Sequence, residues 1–193
     1  MGLLTFKGGI HPNDGKSLAK DKAIVTVMPK GDLIYPLSQH IGAPASPIVS
    51  VGDHVLKGQK IAEAGGFVSA PIHASVSGTV KAIEPHFNPT GSKVNCIVVE
   101  NDGEYQEVEY TPSKPLDELT KEEILNLIGE AGIVGMGGAG FPTKVKLSPK
   151  EPEKIEYVIA NCAECEPYIT ADYRRMLENP EELVSGMKVV LKL

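Results

Sequence analysis

The stretch Val49–Glu84, "VSVGDHVLKGQKIAEAGGFVSAPIHASVSGTVKAIE", decides how the first half of the chain is read. Val51-Gly52-Asp53 and Leu56-Lys57-Gly58-Gln59 carry turn chemistry on either side of a short β-branched run. "APIHASVSGTV", Ala70–Val80, then reads as a hairpin returning across a small barrel. Similar short runs are "AIVTVMP" (23–29), "PIVSVGDHV" (47–55), "QKIAEA" (59–64), "SGTVKAIE" (77–84) and "NCIVVE" (95–100), broken up by Gly, Pro, Asn and Asp. Residues 22–100 therefore predict β structure.

This layout, from Pro47 to Pro85, resembles the biotinyl/lipoyl-like barrel-sandwich family. A carrier domain of that family attaches its cofactor through a lysine at an exposed hairpin tip. The matching stretch here, "FVSAPIHA", has no lysine. The resemblance thus implies a barrel-sandwich hybrid fold without a swinging cofactor.

Bulk properties narrow the function. The 193 residues are 41% hydrophobic and 23% charged, as expected of a globular protein of one or two domains. A net charge of -6 argues against a nucleic-acid surface, and the absence of Trp argues against a base-stacking platform. No segment is apolar for long enough to span a bilayer, so no direct membrane span is expected. The opening "MGLLTFKGGIHPNDG" lacks the basic and apolar regions of a secretory leader. With three cysteines, Cys96, Cys162 and Cys165, it predicts a reducing cytosol.

Residues 1–105 are expected to form the β-rich domain. Residues 106–120 belong to an acidic, Pro-containing stretch expected to be a linker. Residues 121–193 are expected to begin an α/β nucleotide-binding domain. Thr120-x-x-Glu123 is a capping box, Ile124, Leu125, Leu127, Ile128 and Ala131 share one apolar face, and Gly132 suits the position just past the helix. "IEYVIANC", Ile155–Cys162, reads as a buried strand, and "ADYRRMLE" as a short helix. Asn179-Pro180-Glu181-Glu182 starts another helix. One strand and a few helices do not close an α/β domain, so this part is expected to be truncated.

Between these elements lies "GIVGMGGAGFPTKVKL", Gly132–Leu147. Gly135-x-Gly137-x-x-Gly140 matches the dinucleotide fingerprint, but that motif needs a strand in front, and here a helix precedes it. An ordinary Gly-rich surface loop would carry Ser, Asn and Asp rather than end in Phe-Pro-Thr. Read whole, the glycines let a backbone lie against a flat ring or a phosphate. Phe141 could stack on a ring, Pro142-Thr143 could start a helix facing the ligand, and Lys146 could supply a positive charge.

"GMGGAGFPTKVK", Gly135–Lys146, resembles the flavin loop of the NADH-oxidising flavoprotein subunit of respiratory complex I. "NCAECEPYITADYRRML", Asn161–Leu177, resembles the second flavin loop of the same fold. With the barrel-sandwich stretch and the opening "FKGGIHP", the chain resembles the C-subunit family of the Rnf complex, an ion-translocating ferredoxin–NAD oxidoreductase. That resemblance implies a peripheral protein on the cytoplasmic side of the cell membrane, held by the other subunits of the Rnf complex. It implies FMN and NAD(H) as cofactors, and [4Fe-4S] clusters whose cysteine motifs this sequence lacks. By the resemblance, Gly135, Gly137, Gly138, Ala139 and Gly140 form the loop whose backbone meets FMN and leaves room for NADH. Phe141 would pack against the nucleotide, and Lys146 would reach the phosphate or ribityl chain. Asn161 would bond the ring edge, Glu164 would match the second loop's Glu, and Glu166 would lie near the nicotinamide. Met136 and Ala163 stand where the family pattern has Arg and Asp.

Other readings stay open. Cys162-x-x-Cys165 is compatible with small residues in a tight loop, with a redox-active pair or with half of a metal site, but four ligands are normally needed. The five histidines show no paired metal spacing, and no G-x-S-x-G elbow exists. From another class, the chain could be a non-catalytic docking module of the same kind of complex, with an empty flavin site. No general acid or base is needed for the hydride chemistry.

Overall fold

The structure is a computed structural model, described for residues 12–136, 138 and 140–193. The segment up to His11, and Gly137 and Ala139 of the flavin-loop assignment, lie outside the described residues. The chain divides into two compact units: residues 28–156 with Lys192 and Leu193, and Tyr157–Leu191 with the segment that ends at Val27.

The first unit is built on seven strands: β1 (Asp32–Pro36), β2 (Ser46–Pro47), β3 (His54–Val55), β4 (Lys60–Glu63), β5 (Ile72–His73), β6 (Gly78–Phe87) and β7 (Lys93–Asn101). All pairings are antiparallel, in a four-stranded sheet ordered β1-β7-β6-β3 and a three-stranded sheet ordered β2-β4-β5. The two turn signals hold. The Ser50 N–H donates to Asp53 Oδ2 at 2.7 Å, and the Leu56 N–H donates to Gln59 Oε1 at 3.0 Å. Between them β3 joins β6, with Val55 opposite Gly78.

Both sheets contribute to one core: Tyr35, Val55, Ile61, Ile72, Val76, Val80, Ile97 and Val99 pack together. Each fully buried aliphatic side chain contributes about 1.5–3 kcal/mol. β7 lies between two neighbours and is buried from Cys96 to Val99 on both faces, which is why its sequence is a continuous apolar run rather than an alternation. β6 alternates from Gly78 to Lys81, then shifts register against β7 between Val80 and Ala82.

Four expectations need correction. "AIVTVMP" is not a strand; its apolar residues Ile24, Val25 and Val27 are exposed, and β1 follows it instead. "PIVSVGDHV" is not one strand, because the turn held by Asp53 divides it between β2 and β3. "APIHASVSGTV" is not a hairpin: β5 pairs with β4 and β6 pairs with β3 and β7, so the chain changes sheets between Ala74 and Ser77. "IEYVIANC" has no strand pairing and is exposed from Ile155 to Asn161, with Tyr157 at 82% and Ile159 at 86%. β-branched residues favour a sheet only where neighbouring strands supply cross-strand contacts, and the described residues supply none here.

The first unit also carries α1 (Lys121–Glu130) and α2 (Thr143–Lys146). The capping box forms: Glu123 N–H donates to Thr120 Oγ1 at 3.2 Å and Thr120 N–H to Glu123 Oε2 at 2.8 Å. The Lys114 ammonium, 2.8 Å from Glu123, and the Thr120 bonds hold the Glu123 carboxyl down to about 2. Of the expected apolar face only Ile124 is fully buried, while Leu127 is 46% exposed. The second unit holds α3 (Ala171–Glu178) and α4 (Pro180–Leu191), where the sequence predicts helices.

Candidate flavin loop

α1 ends in a way that aims the glycine loop. Gly132 has φ +66°, its N–H donates to Gly129 O at 3.0 Å, and the Ile133 N–H donates to Ile128 O at 3.5 Å. This is the paired bonding of a Schellman end, which favours glycine. A Cβ on Gly132 would lie 2.6 Å from Pro71 O, so the helix exit sits directly on the β4–β5 loop.

The loop then closes on itself. Val134 bridges Pro142, the Gly135 N–H donates to Phe141 O at 2.9 Å, and the Thr143 N–H donates to Ile133 O at 2.9 Å. Lys146 reaches back to this neck: a Cβ on Gly135 would meet its Nζ at 2.9 Å. Gly140, at φ +60°, rests on the barrel, where a Cβ would lie 2.8 Å from Gln39 O and 3.1 Å from His40 Cα. Phe141 is half-buried. Further out the loop opens: Met136 is 95% exposed, and Gly138 has φ +114° with nothing within 4 Å of a Cβ position. The structure therefore brings Gly135, Gly140, Phe141 and Lys146 together at an anchored neck below an open backbone. Gly138 itself puts no side chain in the way of a flat ring, and Lys146 places a cation at the neck, so the described residues of this loop fit FMN.

α1 and the barrel are also joined by charge. The Lys60 amine binds Glu63 at 3.0 Å and pairs with Glu130, the last residue of α1. The Glu130 contact raises Lys60 against the opposing effect of burial, and the same contact lowers Glu130. His73, on β5 beside Gly132, is pushed below its ordinary value first by burial and then by the Lys60 charge. A cavity of about 400 Å³ beneath the loop is bordered by Tyr35, Gln39, His40, His73 and Gly132.

Asn161, Glu164 and Glu166 belong to the second unit. Asn161 Oδ1 accepts the Ala163 N–H at 3.1 Å. Glu164 Oε1 accepts the Asp172 and Tyr173 N–H groups at 2.8 and 3.2 Å, so this carboxylate caps α3. Sequence reasoning missed that role, because an acid eight residues before Asp172 comes within reach of the helix start only through a folded loop. The loop is gripped by the opening segment: Lys16 Nζ donates to Glu166 O at 3.1 Å and to Ile169 O at 2.6 Å. Tyr168, at φ +66°, donates its N–H to Asp14 O at 2.5 Å. Cys162 is half-buried and Cys165 exposed, both as free thiols. Among the described residues no three His, Cys, Asp or Glu side chains are grouped to hold a metal ion, and no helix is long and apolar enough to cross a membrane.

The structure thus combines a barrel-sandwich hybrid with a glycine-rich loop behind a capped helix. Comparison with known families agrees. Residues 4–104 match the RnfC barrel sandwich hybrid domain, and residues 128–193 match the Nuo51 FMN-binding domain. The first match covers just over half of the sequence, and the chain belongs to the RnfC family. It is 49% identical over 193 residues to the C subunit of the proton-translocating ferredoxin:NAD(+) oxidoreductase complex of Clostridium ljungdahlii, covering 99% of this chain and 42% of that protein. It is 43% identical to the C subunit of the Na(+)-translocating ferredoxin:NAD(+) oxidoreductase complex of Acetobacterium woodii, covering 97% and 43%. It is 42% identical to the C subunit of the ion-translocating oxidoreductase complex of Vibrio cholerae, covering 97% and 24%. The chain thus spans less than half the length of the curated relatives it matches.

Proposed function

We propose that this chain is the flavin-binding part of an electron-transfer subunit in an ion-translocating ferredoxin–NAD oxidoreductase. The observation that carries the reading is the loop Gly135–Phe141, anchored at its neck and open at Gly138, within a stretch that matches an FMN-binding domain. Gly135, Gly137, Gly138, Ala139 and Gly140 form the backbone against which FMN lies. Phe141 packs beside it, and Lys146 pairs with its phosphate. Asn161, Glu164 and Glu166, in the second unit, are assigned to the nucleotides by the family resemblance, Asn161 through its side-chain amide and Glu166 toward the nicotinamide. FMN, if bound, would supply hydride exchange with NAD(H) and one-electron exchange with [4Fe-4S] clusters. The protein's own contribution is positioning and electrostatics. Its partners are the other subunits of the complex, on the cytoplasmic face of the membrane.

An FMN titration followed by quenching of flavin fluorescence tests this, on the 193-residue chain and on one extended to the relatives' length. Saturable quenching that Gly138→Val abolishes is expected. A long chain that binds no FMN would overturn the reading in favour of a docking module with an empty flavin site.

A further inference from the structure

The barrel does more than precede the flavin loop. Its β4–β5 loop, residues 64–71, overlaps the stretch "FVSAPIHA" that matches the cofactor-lysine tip of carrier modules by resemblance, and it bears no lysine. Here that loop meets the flavin-loop segment instead. Pro71 O lies against Gly132, where the glycine stretch begins. At its far end, Gly140 lies against Gln39 O and His40 Cα. One buried side chain joins these two supports. The Ala70 N–H donates to His40 Nε2 at 3.1 Å. The same Nε2 lies 3.2 Å from Ala70 O, and Nδ1 lies 3.1 Å from Ile41 O. Both ring nitrogens of a buried imidazole are therefore used to tie the loop at residues 39–41 to the tip at residues 69–70. Ser69 Oγ lies 3.5 Å from the same Nε2 and accepts the Gly65 N–H at 2.9 Å, which holds the rest of the tip.

Resting on the proposed flavin role, we propose that His40 is a positioning residue for flavin binding. It fixes the platform of residues 39–41 and 69–71 on which Gly132 and Gly140 rest. It touches no ligand itself. Its effect enters through the fraction of molecules whose loop is in binding geometry, because apparent affinity falls in proportion to that fraction.

The test uses a chain of the relatives' full length, with FMN as the probe and thermal unfolding of the flavin-free protein as the parallel measurement. His40→Ala removes the tie and is expected to weaken FMN binding about tenfold, the effect of a competent fraction reduced to roughly a tenth. His40→Gln keeps an amide with both a donor and an acceptor for the Ala70 backbone groups, and is expected to recover most of the affinity. A structural residue acting only through overall stability would not show that recovery at equal unfolding temperature. Gly140→Ala attacks the same contact from the loop side, so the double variant with His40→Ala is expected to lose less than the product of the two single losses. If His40→Ala fails to fold, Gly140→Ala attacks the same contact alone, and unchanged FMN affinity in that variant would overturn the platform. Unchanged affinity in His40→Ala, or multiplicative losses in the double variant, would overturn the platform while Gly138→Val still abolishes binding. If Gly138→Val also leaves binding intact, it is the flavin assignment that fails.

Discussion

Gly140→Ala separates two costs that are usually merged, and Gly31→Ala supplies the control. Both glycines have left-handed backbones, at φ +60° and +73°. A side chain in that region costs roughly 1–2 kcal/mol, of which about 0.4–1 kcal/mol is returned because alanine stiffens the unfolded chain. Nothing lies within 4 Å of a Cβ on Gly31, so that variant shows the backbone cost alone. A Cβ on Gly140 meets Gln39 O at 2.8 Å and His40 Cα at 3.1 Å, and both are backbone atoms that cannot swing aside. Overpacking of that kind adds about 1–3 kcal/mol. Urea unfolding of both variants, at unchanged slope, gives the difference directly from the midpoints. Gly140→Ala is expected to be the less stable of the two by about 1–3 kcal/mol. Equal midpoints would mean that the loop does not rest on the barrel, and the geometry drawn for the flavin loop would be refuted.

Thr120→Ala removes the hydroxyl that caps α1 and is expected to cost about 1 kcal/mol in the same urea assay; no loss would show that the Glu123 side carries the cap alone. Lys60→Met breaks the pairs with Glu63 and Glu130 at a partly exposed site, for a loss of at most about 1 kcal/mol at neutral pH. Because Glu130 is lowered in the folded protein, its contribution is present above the ordinary value of 4.5 and fades as pH falls below it, so the difference between wild type and variant should shrink in acid. His73 runs through the same linkage at a higher pH: its proton is disfavoured in the folded state, so stability is full above 6.5 and falls as pH drops below 6.5 toward the lowered native value. An NMR titration placing His73 at or above 6.5 would contradict its burial beside Lys60.

The elements legible in the sequence are those whose signal is local. β7 announces itself as an apolar run, α1 by its capping box and Gly132, and α4 by Asn179-Pro180. β1 was missed because "DLIYP" is an edge strand that ends in proline, a composition that central strands avoid. "IEYVIANC" misled for the opposite reason: its composition suits a sheet, but pairing depends on neighbours that composition cannot reveal. The same holds at the site. Glycines and Lys146 could be read from one short window. His40 is joined to Ala70 across thirty residues of sequence, and Lys16 to Glu166 across one hundred and fifty. No local pattern marks either pair, so the supports of the two loops were invisible while the loops themselves were not.

The two loops follow one physical rule despite belonging to different units. Each is anchored at its ends by groups that would otherwise be free to move. In the first, Gly135 and Thr143 close the neck while Gly138 stays open. In the second, Asn161 holds Ala163, Glu164 holds the start of α3, and Lys16 holds the carbonyls of Glu166 and Ile169. Ordering a loop at the moment of binding costs affinity, so contacts made before the ligand arrives reduce that cost. This also explains why Glu164 is a poor candidate for direct recognition through Oε1: that oxygen already serves two backbone donors, and only Oε2 is left to face a ligand. A substitution such as Glu164→Gln keeps an acceptor for the helix and removes the charge, whereas Glu164→Ala removes both. The first should therefore alter ligand recognition while α3 stays capped, and the second should loosen α3 as well.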